Sequence, residues 1–238
     1  MHTKIDLVKP IWKYSDNKLL QIPKFELEHK TLGKLRVNVY NHANNFNNFS
    51  CKITDTKNEK LGTNTFGLNE NKNVLLGFYM QTHIGYRGEG LGELLRLISI
   101  MILDKNKNNA IDIFSKEGAI YFHAKYKFVP NVKAFIERNF ALKDIASDKT
   151  PELKKIALEA KKLLDKISYT KDSAELRNIN KPANKCIKEY IGKVIKNGNI
   201  NEHKFNYGFE MQLNNENIIK NKEFFNELFK KHGIDYKL

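Results

Sequence analysis

Six residues carry the clearest chemical signal in this chain: Arg87-Gly-Glu-Gly-Leu-Gly92. Glycines at 88, 90 and 92 let a ligand approach the backbone closely, because no side chain stands in the way. The residues before them, 74–82, are apolar and β-favouring and read as a strand. The residues after them follow another rule. Leu91, Leu94, Leu95, Ile98, Met101 and Ile102 recur at three- and four-residue spacing, which predicts an amphipathic helix. A glycine-rich turn between strand and helix offers unpaired N–H groups at the positive end of the helix dipole, an arrangement suited to phosphate. No Gly-Lys-Ser/Thr follows, so this is not a Walker loop, and the glycine spacing is not that of G-x-G-x-x-G. On these residues alone, a tight turn that only packs the helix on the strand stays open.

The strand itself supplies further candidates. With period two, Tyr79, Gln81 and His83 share one face, and Phe78, Met80 and Thr82 the other. The second face reads as apolar core, the first as the polar lining of a cleft. No Asp or Glu lies within 74–82, which leaves His83 as the candidate base on this strand. No His pairs with a Cys or another His at ligand spacing, and no metal is expected. Two cysteines, Cys51 and Cys186, cannot make a disulfide framework.

These groups need positioning elements. Strands are predicted over residues 35–40, 49–54 and 62–68, with an Asn-rich loop at 41–48 and turns at 56–60 and 69–73. After the helix, residues 110–114 read as a short strand and 117–126 as a second helix carrying Ala119, Phe122, His123 and Tyr126 near one face. Thr150-Pro151-Glu152 has the composition of a helix start, with an apolar face running from Leu153 to Ile167. Another helix is predicted after Pro182, with Gly198 past its end. Residues 207–213 alternate as a strand, and a last helix built on Ile218, Phe225, Leu228 and Phe229 stops at Gly233. The fold class expected is α/β (α+β). Residues 1–135 form the core, 136–200 a helical insertion before the last strand, and 201–238 the returning strand and C-terminal helix of the same domain.

Tyr86-Arg-Gly-Glu-Gly-Leu-Gly92 resembles the R/Q-x-x-G-x-G/A loop of the GNAT superfamily of N-acetyltransferases. Ala119-Ile-Tyr-Phe-His-Ala-Lys-Tyr-Lys-Phe128 is similar to the A-i-x-x-Y-e-k-x-G-F segment that follows it in that family. The resemblance covers about residues 60–130. It implies a twisted mixed sheet flanked by helices, with acetyl-CoA (coenzyme A) as cosubstrate and no metal. It puts the pyrophosphate on Arg87, Gly88, Glu89, Gly90, Leu91 and Gly92, the pantetheine arm along Met80, Gln81 and Thr82, and Ser115 near the family's Asn position, which falls close to Lys116. Two departures bear on mechanism: His123 stands where the family has its acid Tyr, and Lys127 where it has Gly.

Amine acetylation sets its own requirements. An alkylamine has a pKa of ~10 and must lose a proton to attack. A base, or a water leading to one, must accept that proton. A donor must meet the thioester oxygen as charge develops there. His83 is the candidate base and His123 the candidate acid, with Tyr79 and Gln81 on the same strand face as His83. The expected partners are acetyl-CoA and an amine acceptor, either a small molecule or a protein, with the helical segment shaping the acceptor site.

Charge leaves rivals open. Lys and Arg number 41 against 27 Asp and Glu, a net charge of +14. The excess is even along the chain, no polybasic tail exists, and only five of the basic residues are Arg, the usual reader of bases. With 29 Asn, the composition also fits an AT-rich genome. Nucleic acid is therefore not the favoured partner, but a basic nucleic-acid (tRNA)-binding protein and a CoA-binding module without turnover remain alternatives. A homodimer is open. The first residues have no apolar core, and the longest apolar stretch, 94–103, is too short to span a bilayer, so a cytoplasmic protein without membrane contact is expected.

Overall fold

Alternation of apolar and polar side chains, punctuated by turn residues, builds an antiparallel sheet through the first third of the chain. In the computed structural model, residues 13–14, 18–19, 24–42, 45–69, 71–169 and 173–238 are described. β1 (Lys13–Tyr14) and β2 (Lys18–Leu19) pair with each other. β3 (Phe25–His29), β4 (Gly33–His42), β5 (Asn45–Thr54), β6 (Lys60–Asn69) and β7 (Val74–Thr82) then pair in chain order, each antiparallel to the last. The order continues with α1 (Leu91–Asn106), β8 (Ala110–Ser115), α2 (Ile120–Lys125), β9 (Val129–Pro130), α3 (Phe135–Ala146), α4 (Lys154–Tyr169), α5 (Ser173–Asn197), β10 (Phe209–Asn214), α6 (Asn215–Lys220) and α7 (Lys222–Lys231). This is an α/β fold with sheet strands flanked by helices, the class expected. The chain divides into two units: the described residues up to Asp112 with Asn214–Leu238, and Ile113–Leu213.

In the first unit, α1 is buried nearly all round, from Leu91 to Leu103, and packs on β5, β6, β7 and α7. That is why it is apolar beyond a single stripe. Gly62 lets it close on β6, since a Cβ there would stand 3.2 Å from Leu95 Cδ1. Asn64 ties the same contact polar-side, donating to Ser99 Oγ at 2.8 Å. Asparagines close the far end: Asn108 donates to Asn73 Oδ1 at 2.8 Å, Asn73 to the Lys107 carbonyl at 2.9 Å, and Asn215 to the Asn108 carbonyl at 2.8 Å. One expectation needs correction here, and one strand was missed. The Asn-rich segment is not all loop, for β4 runs to His42 and β5 begins at Asn45, because pairing along two long strands overrides the poor strand propensity of Asn. β3 was not anticipated, although Phe25 and Leu27 are buried and Glu26 and Glu28 exposed in strict alternation.

In the second unit, β10 pairs antiparallel with β9, and α3, α4 and α5 pack on one another. α5 begins at Ser173 and carries Pro182 inside it, rather than starting after that proline. Proline costs a hydrogen bond there, but the buried row Ile179, Ala183, Cys186, Ile187, Tyr190, Ile191 and Val194 holds the helix on both sides of it. Asn184 adds a two-way link, accepting from the Val132 N–H at 2.8 Å and donating to the Val132 carbonyl at 3.2 Å. Thr150 does not cap α4 with its side chain; its N–H instead donates to Asp148 Oδ1 at 2.8 Å. Asp148 Oδ2 also accepts from Tyr190 Oη at 2.6 Å and from His203 Nδ1 at 2.7 Å. Burial pushes this carboxyl upward, but the hydrogen bonds from Tyr190, Thr150 and His203 outweigh it and hold Asp148 below the ordinary range. Both cysteines are buried, and burial pushes each thiol up to about 12, which leaves neither as a ready nucleophile.

Candidate functional site

β7 leads into the glycine loop through a short bridge. His83 N–H extends the ladder by donating to the Leu61 carbonyl at 2.8 Å. A single 3-10 turn, Ile84–Tyr86, follows, with His83 Nδ1 accepting from the Gly85 N–H at 3.4 Å. Arg87 is extended and exposed. Gly88 and Gly90 then take φ of 91° and 78°, a region that side chains resist. Gly90 is the N-cap of α1 and brings no side chain to the first turn. A Cβ on Gly88 would meet no atom within 4 Å, so the loop faces open space there. A Cβ on Gly90 would touch His232 Cε1 at 3.6 Å.

Residues far away in sequence hold this loop. His29 Nε2 donates to the Glu89 carbonyl at 2.8 Å, which leaves Nδ1 to face the N–H groups of Thr31 and Leu32. Thr31 Oγ1 donates to the Glu89 carboxylate. The turn between β3 and β4 is thus latched onto the loop. Beneath the helix N-terminus, buried Glu93 accepts from Lys231 Nζ and His232 Nε2, each at 2.6 Å. Glu93 suits the first turn of a helix, and Lys231 offsets its charge. Burial holds His232 below the usual imidazole value, against the pull of Glu93. None of His29, Thr31, Lys231 and His232 was singled out in the sequence. Each lies scores of residues from the loop, and the latch has no local pattern.

The β7 candidates divide. Tyr79 and Gln81 share a face as predicted, and Tyr79 Oη donates to Gln81 Oε1. Both are exposed, as is His83. Met80 and Thr82 are half-buried. Phe78 is not core: it is 55% exposed. The cause is a bulge. Gly77 lies opposite Phe66 and Tyr79 opposite Thr65, so Phe78 has no partner and the period of two is reset. The Phe78 ring lies over Gly67, where a Cβ would come within 2.7 Å of it.

Ser115 and His123 belong to the second unit. Ser115 is fully buried at the end of β8. Gly208 comes so close that a Cβ on it would stand 2.3 Å from the Ser115 carbonyl oxygen. His123 is buried on α2, its ring 5.7 Å from that of Phe128. The end of α2 explains that contact. Lys127 N–H donates to the Ala124 carbonyl at 2.9 Å, Phe128 N–H to the His123 carbonyl at 3.2 Å, and Lys127 takes φ of 67°. This is a Schellman motif, in which the residue after the left-handed one packs on the helix's third-last residue. The position where the related segment has Gly is left-handed here, with Lys in it. Among the described residues, no group of three His, Cys, Asp or Glu could hold a metal ion, and no helix is long and apolar enough to cross a membrane.

No family model matches the chain, and no curated protein matches it. Among solved structures, it is similar to an acetyltransferase of the GNAT family from Staphylococcus aureus Mu50, at 20% identity over 34% of this chain and 53% of that one, with a TM-score of 0.32. It is also similar to Tetrahymena GCN5, at 12% identity over 71% and 68% of the two chains, with a TM-score of 0.37. A third is the GNAT family N-acetyltransferase YhbS of Escherichia coli in complex with CoA, at 19% identity over 34% and 45%, with a TM-score of 0.30. The chain spans about half the length of the first and third of these.

Proposed function

We propose that this chain is a divergent GNAT-fold acyltransferase that moves an acetyl group from acetyl-CoA to an amine by direct attack. One observation carries the reading: the loop that resembles the family's pyrophosphate loop has two glycines at positive φ, an N-cap without a side chain, and open space over Gly88. In this reading the N–H groups of residues 88–92 meet the pyrophosphate, with Arg87 beside them. Met80, Gln81 and Thr82 accompany the pantetheine arm. The exposed Tyr79, Gln81 and His83 supply the polar groups near the acceptor, His83 as base for the ammonium proton. Ser115 and His123 enter as cofactor contact and proton donor to the leaving thiolate through the resemblance.

The chemistry asks little of the acid. A CoA thiol has a pKa of ~8.5 by analogy with cysteine, so its thiolate leaves readily near neutral pH. Positioning and removal of the amine proton are the larger demands. The test is thiol release from acetyl-CoA across a panel of small amines and lysine peptides, with acetyl-CoA affinity measured by calorimetry alongside. Amine-dependent release is expected. Tight binding with only slow hydrolysis across the whole panel would replace the enzyme with a CoA-holding module, and absence of binding would remove both.

A further inference from the structure

α5 carries a second, independent feature. Its buried row faces the core of its unit, and at 100° per residue the opposite side holds Arg177, Lys181, Lys185, Lys188 and Lys196 within a sector of about 100°. All five are exposed. Between them lie Ala174, Asn178, Gly192 and, half-buried at the edge, Ile195; no Asp or Glu falls inside. Glu189 stands at the border and reaches Lys185 at 3.8 Å, with both side chains well exposed at 71% and 46%, so water and salt weaken the pair.

A lysine-rich composition alone does not give this pattern. α4, in the same unit, has as many lysines on its outer side: Lys154, Lys155, Lys161, Lys162 and Lys166. Asp165 and the exposed Leu158 sit among them, and Glu159 beside them. Across residues 113–213 there are twenty basic and twelve acidic side chains, yet the α5 sector takes one sign only. From Arg177 to Lys196 the helix rises about 28 Å at 1.5 Å per residue, enough to run beside several phosphates of a nucleic-acid strand. A membrane is the poorer fit, since a helix that lies in a bilayer surface gives its apolar side to lipid, and that side of α5 is buried in protein.

We propose that this face of α5 binds the phosphate backbone of a nucleic acid without reading its sequence. Lysine supplies point charges to phosphate rather than a bidentate fork to base edges. Affinity should then lie in the non-specific range, Kd on the order of 10⁻⁴–10⁻⁶ M at physiological salt, and fall as salt rises. Five engaged charges give a slope of log K against log salt of about −4.5 on duplex DNA, a loss of roughly 500-fold between 50 and 200 mM.

The experiment is fluorescence anisotropy of the whole chain with labelled duplex DNA, duplex RNA and single strands of equal length, over a salt series. The test variant is Lys181→Glu/Lys185→Glu/Lys188→Glu. The control, Lys155→Glu/Lys162→Glu/Lys166→Glu, makes the same charge change on α4. Lys181→Gln/Lys185→Gln/Lys188→Gln repeats the test with a milder change, and circular dichroism reports folding for each. The α5 variants should lose tenfold or more in affinity, and the Gln variant should lose about 3 units of slope, while the α4 control keeps its slope. Equal losses in both sets would overturn the proposal, because diffuse charge would then suffice. So would absence of salt-dependent binding in the unmutated chain, or binding to phosphatidylserine vesicles through the same lysines that exceeds binding to every oligonucleotide.

Discussion

Gly88→Ala is the sharpest probe of the loop, because the chain contains its own control. Gly88 has φ of 91° and Gly198, just past α5, has φ of 79°; a Cβ on either would meet no atom within 4 Å. Alanine at both therefore suffers the same kind of backbone strain and no clash. Left-handed backbone costs a non-glycine residue about 1–2 kcal/mol, and alanine recovers about 0.4–1 kcal/mol of that by restricting the unfolded chain. Each variant should lose up to about 1.5 kcal/mol, which for a chain of this size is a fall of a few degrees in Tm. The two differ only in what fills the open space. If pyrophosphate meets the Gly88 backbone, the methyl group displaces one charge-assisted hydrogen bond worth about 1.5–3 kcal/mol, which is about 10- to 100-fold in affinity. Thermal melts and acetyl-CoA titration calorimetry on both variants give the answer. Gly88→Ala should bind acetyl-CoA 10- to 100-fold more weakly and Gly198→Ala should bind it normally. Unchanged affinity in a folded Gly88→Ala, or equal losses in both, would refute the assignment of the loop.

Three further outcomes follow from single residues. Lys127→Gly relieves a left-handed lysine and should raise stability by about 0.5–1 kcal/mol, read as a higher Tm with unchanged thiol release; a lower Tm would mean that the lysine side chain contributes more than its backbone costs. Asp148→Asn removes the charge from a carboxylate that accepts from Tyr190, Thr150 and His203, and should cost about 2–3 kcal/mol at neutral pH by urea denaturation. Because the folded carboxyl lies below its usual 3.8, its contribution is present above that value and is lost as pH falls below it, so the gap between the two proteins should narrow in acid; a pH-independent gap would contradict this. His123→Phe keeps an aromatic ring against Phe128 and should hold acetyl-CoA affinity while lowering thiol release about 100-fold, the low end for acid–base assistance; full activity would confine His123 to closing the end of α2.

Local pattern made some of this legible and geometry withheld the rest. The glycine loop could be read because its cause is local: a strand, a turn that needs positive φ at two points, and a helix with its apolar spacing. Phe78 could not be placed, because a period of two assumes regular pairing and a single unpaired residue in β7 moves the ring from the core to the surface. Pro182 misled in the opposite way. As a local signal it starts helices or breaks them, but the buried row on both sides of it carries α5 through. The latch on Glu89 and the ion pair under α1 had no pattern to find, since His29 reaches the loop, and Lys231 reaches Glu93, only once sheet and C-terminal helix have formed.

Lys127 sits in a backbone conformation that favours glycine. The related segment has glycine there, and lysine is a departure from it. Its φ is 67°, and both Schellman hydrogen bonds are in place. The left-handed turn forms with lysine in it, and the chain tolerates a strain of about 1–2 kcal/mol there. The same logic bears on His123, three residues before the end cap. A ring at that position closes the motif against Phe128 whether or not it moves a proton. Stability measurements on ring-preserving variants therefore cannot decide its role, and only the rate and its pH dependence can.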